Sequence, residues 1–247
     1  MKKAFAIVLV FMFFFTGCSF FQSFFQSKEQ RNVEELISDG MEEFEDGKFS
    51  DAIKSFETLK DWYPFSKYAI LAELKIGDSY YHKKEYEEAI FAYEEFENLH
   101  PRNEAIPYVL YQIGRCYFEQ MDTVDRDQSS TRKALETFNR LIRTFPKNEY
   151  ARKAEAHRTQ CHKILAGHDL YVGMYYYKNK RYKAALNRFK SVLSNYPDVG
   201  VHQFALMLIP ECETSIKNIS KKKDDKRQDT SESTYKKFLN FWKNIFT

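Results

Sequence analysis

The chain has 247 residues, 43% of them hydrophobic, enough for one or two packed domains. Its 8 Gly and 6 Pro are too few for an all-β protein with many turns, and apolar residues seldom alternate with polar ones, which leaves helices. A formal charge of +3, part of it from Lys2 and Lys3, excludes the strongly basic surface of a duplex nucleic-acid binder, so no nucleic-acid partner is expected.

After Lys2 and Lys3 an apolar run extends from Ala4 to Phe15. It is shorter than the roughly 20 residues of a spanning helix and has the length of a signal-peptide core. The run ends in Phe15-Thr16-Gly17-Cys18, small residues before a Cys, which resembles a bacterial lipoprotein signal. That resemblance implies a cleaved signal peptide over residues 1–17 and lipidation of Cys18, with no cofactor beyond that covalent lipid. An ordinary secretory signal with a chance Cys is the competing reading. At roughly 0.8 kcal/mol per buried methylene, two or three acyl chains make a stable membrane anchor. Ser19 replaces the Asp that retains enteric lipoproteins in the inner membrane, so the analogy places the chain at the periplasmic face of the outer membrane. Residues 18–30, rich in Phe, Gln and Ser, read as a lipidated tether whose Phe20, Phe21, Phe24 and Phe25 could lie in the lipid interface.

Residues 31–220 carry an internal repeat. Gly77, Tyr80, Tyr81, Tyr86, Ala89, Tyr93, Phe96 and Pro101 have the spacings of the tetratricopeptide repeat. Small residues let two helices approach, large ones fill the space between them, and Pro ends the second helix. Gly40, Phe44, Phe49, Ala52, Phe56, Leu59 and Pro64 fit the same frame, as do Gly173, Tyr176, Tyr177, Tyr182, Ala185, Phe189, Val192 and Pro197. A further copy is split: Gly114, Tyr117 and Phe118 match the first helix, and Ala134, Phe138, Leu141 and Pro146 match the second after an eight-residue insertion. The polar run from Met121 to Ser130 is its expected loop. Between Tyr150 and Ala166 another first helix is expected, merged with the repeat that follows, and Val201 to Ile219 reads as a last helix kinked at Pro210. The expected fold is all-α, a tetratricopeptide-repeat right-handed superhelix of about five helical pairs, with most aromatics in its core.

Residues 221–233 are charged and polar and read as a linker. In residues 234–247, Phe238, Phe241, Trp242 and Ile245 follow helical spacing beside Lys236, Lys237 and Lys243. This amphipathic C-terminal helix either docks on a partner or membrane surface, or caps the last repeat. Cys116, Cys161 and Cys212 are an odd set with no Cys-x-x-Cys, read as buried thiols, with a Cys116–Cys161 bond conceivable.

Motifs for chemistry are missing from the sequence. His157 and Cys161 are four residues apart without a third ligand, and Asp122, Asp125 and Asp127 lack the central Gly and terminal Glu of a calcium loop. No phosphate loop, nucleophile elbow or His-Glu-x-x-His occurs, so neither a catalytic residue nor a metal site is assigned. The repeat frame instead points Met41, Phe44, Asp78, Tyr81, Tyr108, Tyr111 and Arg115 into the concave face. Such an aromatic set with one acid and one base suits an extended or partly helical peptide; the competing reading packs these rings against one another between repeats.

Several local segments are more particular than the frame: Trp62-Tyr63-Pro64-Phe65-Ser66-Lys67-Tyr68-Ala69, His100-Pro101, Tyr108-Val109-Leu110-Tyr111, the stretch from Asp125-Arg126-Asp127 to Ala134, and Tyr175-Tyr176-Tyr177 with Asn187-Arg188. With the lipoprotein signal they resemble the BamD family, lipoprotein subunits of the machinery that folds β-barrels into the outer membrane. The short inserted loop and the basic, Trp-containing C-terminal helix depart from that pattern. The resemblance implies a non-enzymatic scaffold whose N-terminal repeats receive C-terminal segments of unfolded outer-membrane proteins. Its C-terminal repeats dock on a BamA-like barrel subunit, beside other assembly lipoproteins, and Arg188 matches an Arg near that docking surface. A generic envelope scaffold for peptidoglycan synthesis or a secretion pore is the alternative, and a metal-dependent protein built on the His157 region is a third.

Overall fold

The computed structural model describes residues 32–221 and 231–246. The expected leader, Cys18 and the tether of residues 18–30 lie outside the described residues, as do residues 222–230 of the expected linker. Ten helices occur among the described residues, and no strand: α1 (Val33–Glu45), α2 (Phe49–Trp62), α3 (Lys67–His82), α4 (Tyr86–Leu99), α5 (Ile106–Glu119), α6 (Ser129–Thr144), α7 (Glu149–Lys178), α8 (Tyr182–Asn195), α9 (His202–Lys221) and α10 (Ser231–Phe246). The all-α, tetratricopeptide-type organisation agrees with the sequence frame. By contacts, the chain forms two compact units, divided between Ser79 and Tyr80 inside α3. In a repeat array each pair packs on its neighbours alone, so compactness is a local property.

In the first unit, α1 opens with a capping box. Asn32 Oδ1 accepts from the Glu35 amide at 2.8 Å, and the Glu35 carboxylate accepts from the Asn32 amide at 3.2 Å. Leu36, Ala52, Ile53, Phe56 and Leu59 form the buried seam of α1 and α2. A methyl group on Gly40 would stand 2.5 Å from Phe56 Cε1, well inside contact distance. The second unit repeats this contact twice: the same distance, 2.5 Å, separates a methyl on Gly114 from Phe138 Cε1 and a methyl on Gly173 from Phe189 Cε1. Helix axes come this close only where one partner has no side chain.

The turns are repeated too. Gly47, Lys84 and Lys180 each follow their repeat glycine by seven residues, and all adopt positive φ (76°, 63° and 58°). Each turn closes with paired backbone bonds of the Schellman type, such as Lys84 N to the Tyr81 carbonyl at 2.9 Å and Glu85 N to the Tyr80 carbonyl at 3.0 Å. The second helices end by a common rule: α2, α4, α6 and α8 stop two residues before Pro64, Pro101, Pro146 and Pro197. A residue preceding Pro is disfavoured in helical geometry.

In the split repeat the turn gives way to a loop pinned by its own side chains. Gln128 is buried and donates to the carbonyls of Thr123 (2.9 Å) and Arg126 (3.2 Å), while accepting from Thr131 Oγ1 at 2.9 Å. Asp125 accepts from Thr123 Oγ1 at 2.6 Å and Asp127 from the Ser129 amide at 2.8 Å, so both carboxylates organise the loop. Helix α7 runs for 30 residues, the expected merging of a first helix with the next repeat. Pro210 lies inside α9, which continues through it although the Leu206 carbonyl loses its amide partner there. The last boundary shifts by three residues: α10 begins at Ser231, where residue 234 was expected. Cys116, Cys161 and Cys212 are buried free thiols, and burial pushes each up to about 12.

Gly114→Ala should lower stability by about 1–2 kcal/mol, because overpacking against Phe138 outweighs the gain in helix propensity. Denaturant titration should show that loss shrinking toward zero in a Phe138→Leu background, where the ring is gone. Lys84→Gly should raise stability by up to about 1 kcal/mol by relieving the left-handed turn, and Lys84→Val should lower it.

Candidate functional site

In the first unit, Met41 and Phe44 are half-buried on α1. Lys75 of α3 lies with Nζ 4.6 Å above the Phe44 ring and 2.9 Å from the Asp78 carboxylate. Asp78 itself is only 4% exposed. The sequence frame placed Asp78 in the concave face as an accessible acid; it is instead the buried counter-charge of Lys75. The cation it holds over the aromatic ring is the more accessible group. Sequence reasoning missed Lys75, whose signal was its i, i+3 spacing from Asp78.

In the second unit, Tyr81, Tyr108, Tyr111 and Arg115 are all half-buried, and the structure brings them into one array. The Arg115 guanidinium stacks 4.6 Å from the centre of the Tyr81 ring, and its Nη2 donates to the Tyr81 hydroxyl. Glu119 Oε1 is 3.8 Å from the same nitrogen and accepts from Tyr81 at 3.3 Å. Tyr111 lies with its hydroxyl 3.2 Å from His157 Nε2 and its ring 5.6 Å from Tyr150, which also meets Tyr108 at 5.3 Å. His157 stacks on Phe138 at 5.3 Å. The rings pack on one another and are each half-buried. Glu119, Tyr150 and His157 were not assigned to this face from sequence. His157 was paired there with Cys161; here Cys161 is buried against Met121, Sγ to Sδ 3.9 Å. Among the described residues, no cluster of three or more His, Cys, Asp or Glu is placed to hold a metal.

Burial keeps the titratable rings of the array uncharged near neutral pH. Burial pushes the Tyr81 hydroxyl up to about 12 despite the opposing pull of Arg115, so it stays protonated and able to donate. Burial, with Arg115 nearby, lowers His157 below the ordinary histidine value.

Arg188 on α8 forms a second feature of this unit. Its Nη1 lies 2.7 Å from Asp169 Oδ1, while Ser191 Oγ donates to Asp169 Oδ2 at 2.6 Å and the Tyr196 hydroxyl stands 3.3 Å from the same oxygen. Asp169 is buried; the Arg188 side chain is 45% exposed. One nitrogen of the guanidinium is thus fixed within the chain while the side chain stays partly exposed, which leaves room for an incoming carboxylate.

The family model described as outer membrane lipoprotein, YfiO, matches residues 29–228. The chain belongs to the YfiO family of outer membrane lipoproteins. The match takes in α1 to α9 and every groove residue named above, and it ends before α10. Relatives include the outer membrane protein assembly factor BamD of Caulobacter vibrioides, 31% identical over 76% of this chain and 62% of that protein. The BamD proteins of Neisseria gonorrhoeae (28%, covering 90% of this chain and 84% of that one) and Pasteurella multocida (27%, 85% and 83%) are similar over greater lengths. Among solved structures, a tetratricopeptide repeat protein from Parabacteroides merdae aligns over 78% of this chain and 80% of its own at a TM-score of 0.40 and 15% identity. Among the described residues of this YfiO-family chain, no helix is long and apolar enough to cross a membrane.

A folded-state histidine pKa below its unfolded value costs no stability above pH ~6.5 and progressively more as pH falls from there, because the unfolded chain takes the proton first. His157→Gln should therefore flatten the loss of melting temperature between about pH 7 and pH 5, with His162, lowered by burial as well, contributing the remaining slope.

Proposed function

We propose that this chain is a non-enzymatic scaffold lipoprotein of outer-membrane β-barrel protein assembly, anchored through a lipid on Cys18 at the periplasmic face of the outer membrane. The observation carrying this reading is the family match across residues 29–228, with relatives each named as assembly factors. The faces around Lys75 and Phe44, and around Arg115 with Tyr81, Tyr108 and Tyr111, would receive the aromatic C-terminal segments of unfolded barrel proteins. Aromatic edges supply apolar contact, and each cation fixes direction by pairing with a carboxylate. Arg188, held by Asp169, would pair with an acidic residue of a BamA-like barrel subunit, beside other assembly lipoproteins. Every step is binding and release, so no covalent chemistry is asked of the residues.

Depletion of the chain, read by quantitative proteomics of the outer membrane, should lower many unrelated barrel proteins together. A defect confined to cell shape or to one secretion system would instead favour a scaffold for peptidoglycan synthesis or a secretion pore. Arg188→Ala should reduce capture of the barrel subunit at least tenfold while Arg188→Lys retains part of it. A similar loss in both would mean that the bidentate fork matters and not the charge alone.

A further inference from the structure

We propose that the face of α7 and α9 in the second unit is a binding site for an amphipathic helix with an aromatic stripe, and that α10 is its built-in occupant. The repeat frame identifies the face. Three residues before Gly114, and one after it, stand Tyr111 and Arg115; four after Gly77 stands Tyr81; all three are half-buried and reachable. The counterparts around Gly173 are Leu170, Met174 and Tyr177, and they are 0%, 1% and 4% exposed. Leu170, Met174 and Tyr177 belong to one buried cluster with Phe189 of α8, Ala205 and Leu208 of α9 and Phe238 of α10, and Tyr235, Phe241 and Trp242 pack against it, so α10 covers this face together with α8 and α9.

The contacts are those of a helix laid in a groove. Trp242 meets Tyr171 of α7 at 5.7 Å, Phe241 meets Phe204 of α9 at 3.6 Å, and Lys178 at the end of α7 sits 4.3 Å above the Tyr235 ring. Tyr235, Phe238, Phe241 and Trp242 recur at three- to four-residue spacing, the anchor pattern by which a helix is read in a groove. Lys236, Lys237, Asn240, Lys243 and Asn244 are exposed on the other side.

Two features separate α10 from an ordinary repeat helix. Phe238 is its one fully buried side chain among those described, whereas α8 buries Ala185, Phe189 and Val192. The family match ends at residue 228, so α10 is an addition to the matched region, joined to α9 by the charged stretch of residues 222–230. A helix joined through so few residues is held near its face at high effective concentration. This inference does not depend on the identity of the assembly partner.

Two measurements test it. Hydrogen exchange on the intact chain should show the amides of α10 exchanging at least tenfold faster than those of α8 and of residues 170–177. Exchange of α10 in step with α8 would make it an integral part of the fold and overturn the proposal. In the full-length double variant Phe238→Asp, Trp242→Asp, a labelled peptide of residues 231–246 should bind with a Kd at least tenfold lower than to the wild-type chain, and a scrambled peptide should not bind. Equal affinity for both chains, no binding to a variant with wild-type helicity, or a variant that loses its helical signal would each overturn it.

Discussion

The absence of a side chain at Gly40, Gly114 and Gly173 is the constraint on which the remaining structure depends. Each lets a phenyl ring from the second helix lie against the backbone of the first, at a distance that a single methyl group would abolish. The ring fills the gap, the Cβ-free backbone accepts it, and the crossing of the two helices is set by that contact. After Gly40 and Gly173 a left-handed residue seven positions later reverses the chain, after Gly114 the pinned loop does so, and a Pro terminates each second helix. Because one small set of contacts is used in successive pairs, first helices present equivalent residues at equivalent places, and these residues form the candidate faces.

A second device recurs on those faces. In the first unit, buried Asp78 holds Lys75 over Phe44; in the second, buried Asp169 holds Arg188. A carboxylate taken out of water needs its donors, and an exposed cation loses little by supplying one. The result is a cation held in place, half-exposed at Arg188 and more covered at Lys75. Arg115 reaches the same condition through stacking on Tyr81 and pairing with Glu119.

Much of this organisation is legible in the sequence, for physical reasons. The Gly, Ala, aromatic and Pro spacing reads the helix pairs directly, since each position answers to one steric demand. The 30-residue α7 follows from the absence of a Gly or Pro signal between Tyr150 and Ala166 strong enough to break it. Side-chain partnerships are harder to read. Asp78 was placed on the correct helix, but its burial depends on Lys75 folding over it, and His157 stands four residues from a Cys that points elsewhere. The Arg188–Asp169 pair joins residues nineteen apart on two helices, and no local pattern marks it.

The most direct test of the scaffold account is affinity purification of the chain from detergent-solubilised envelopes, with mass identification of the co-eluting proteins. The account predicts recovery of a β-barrel protein that carries periplasmic repeat domains. Recovery of cell-wall or secretion components without such a barrel would contradict it.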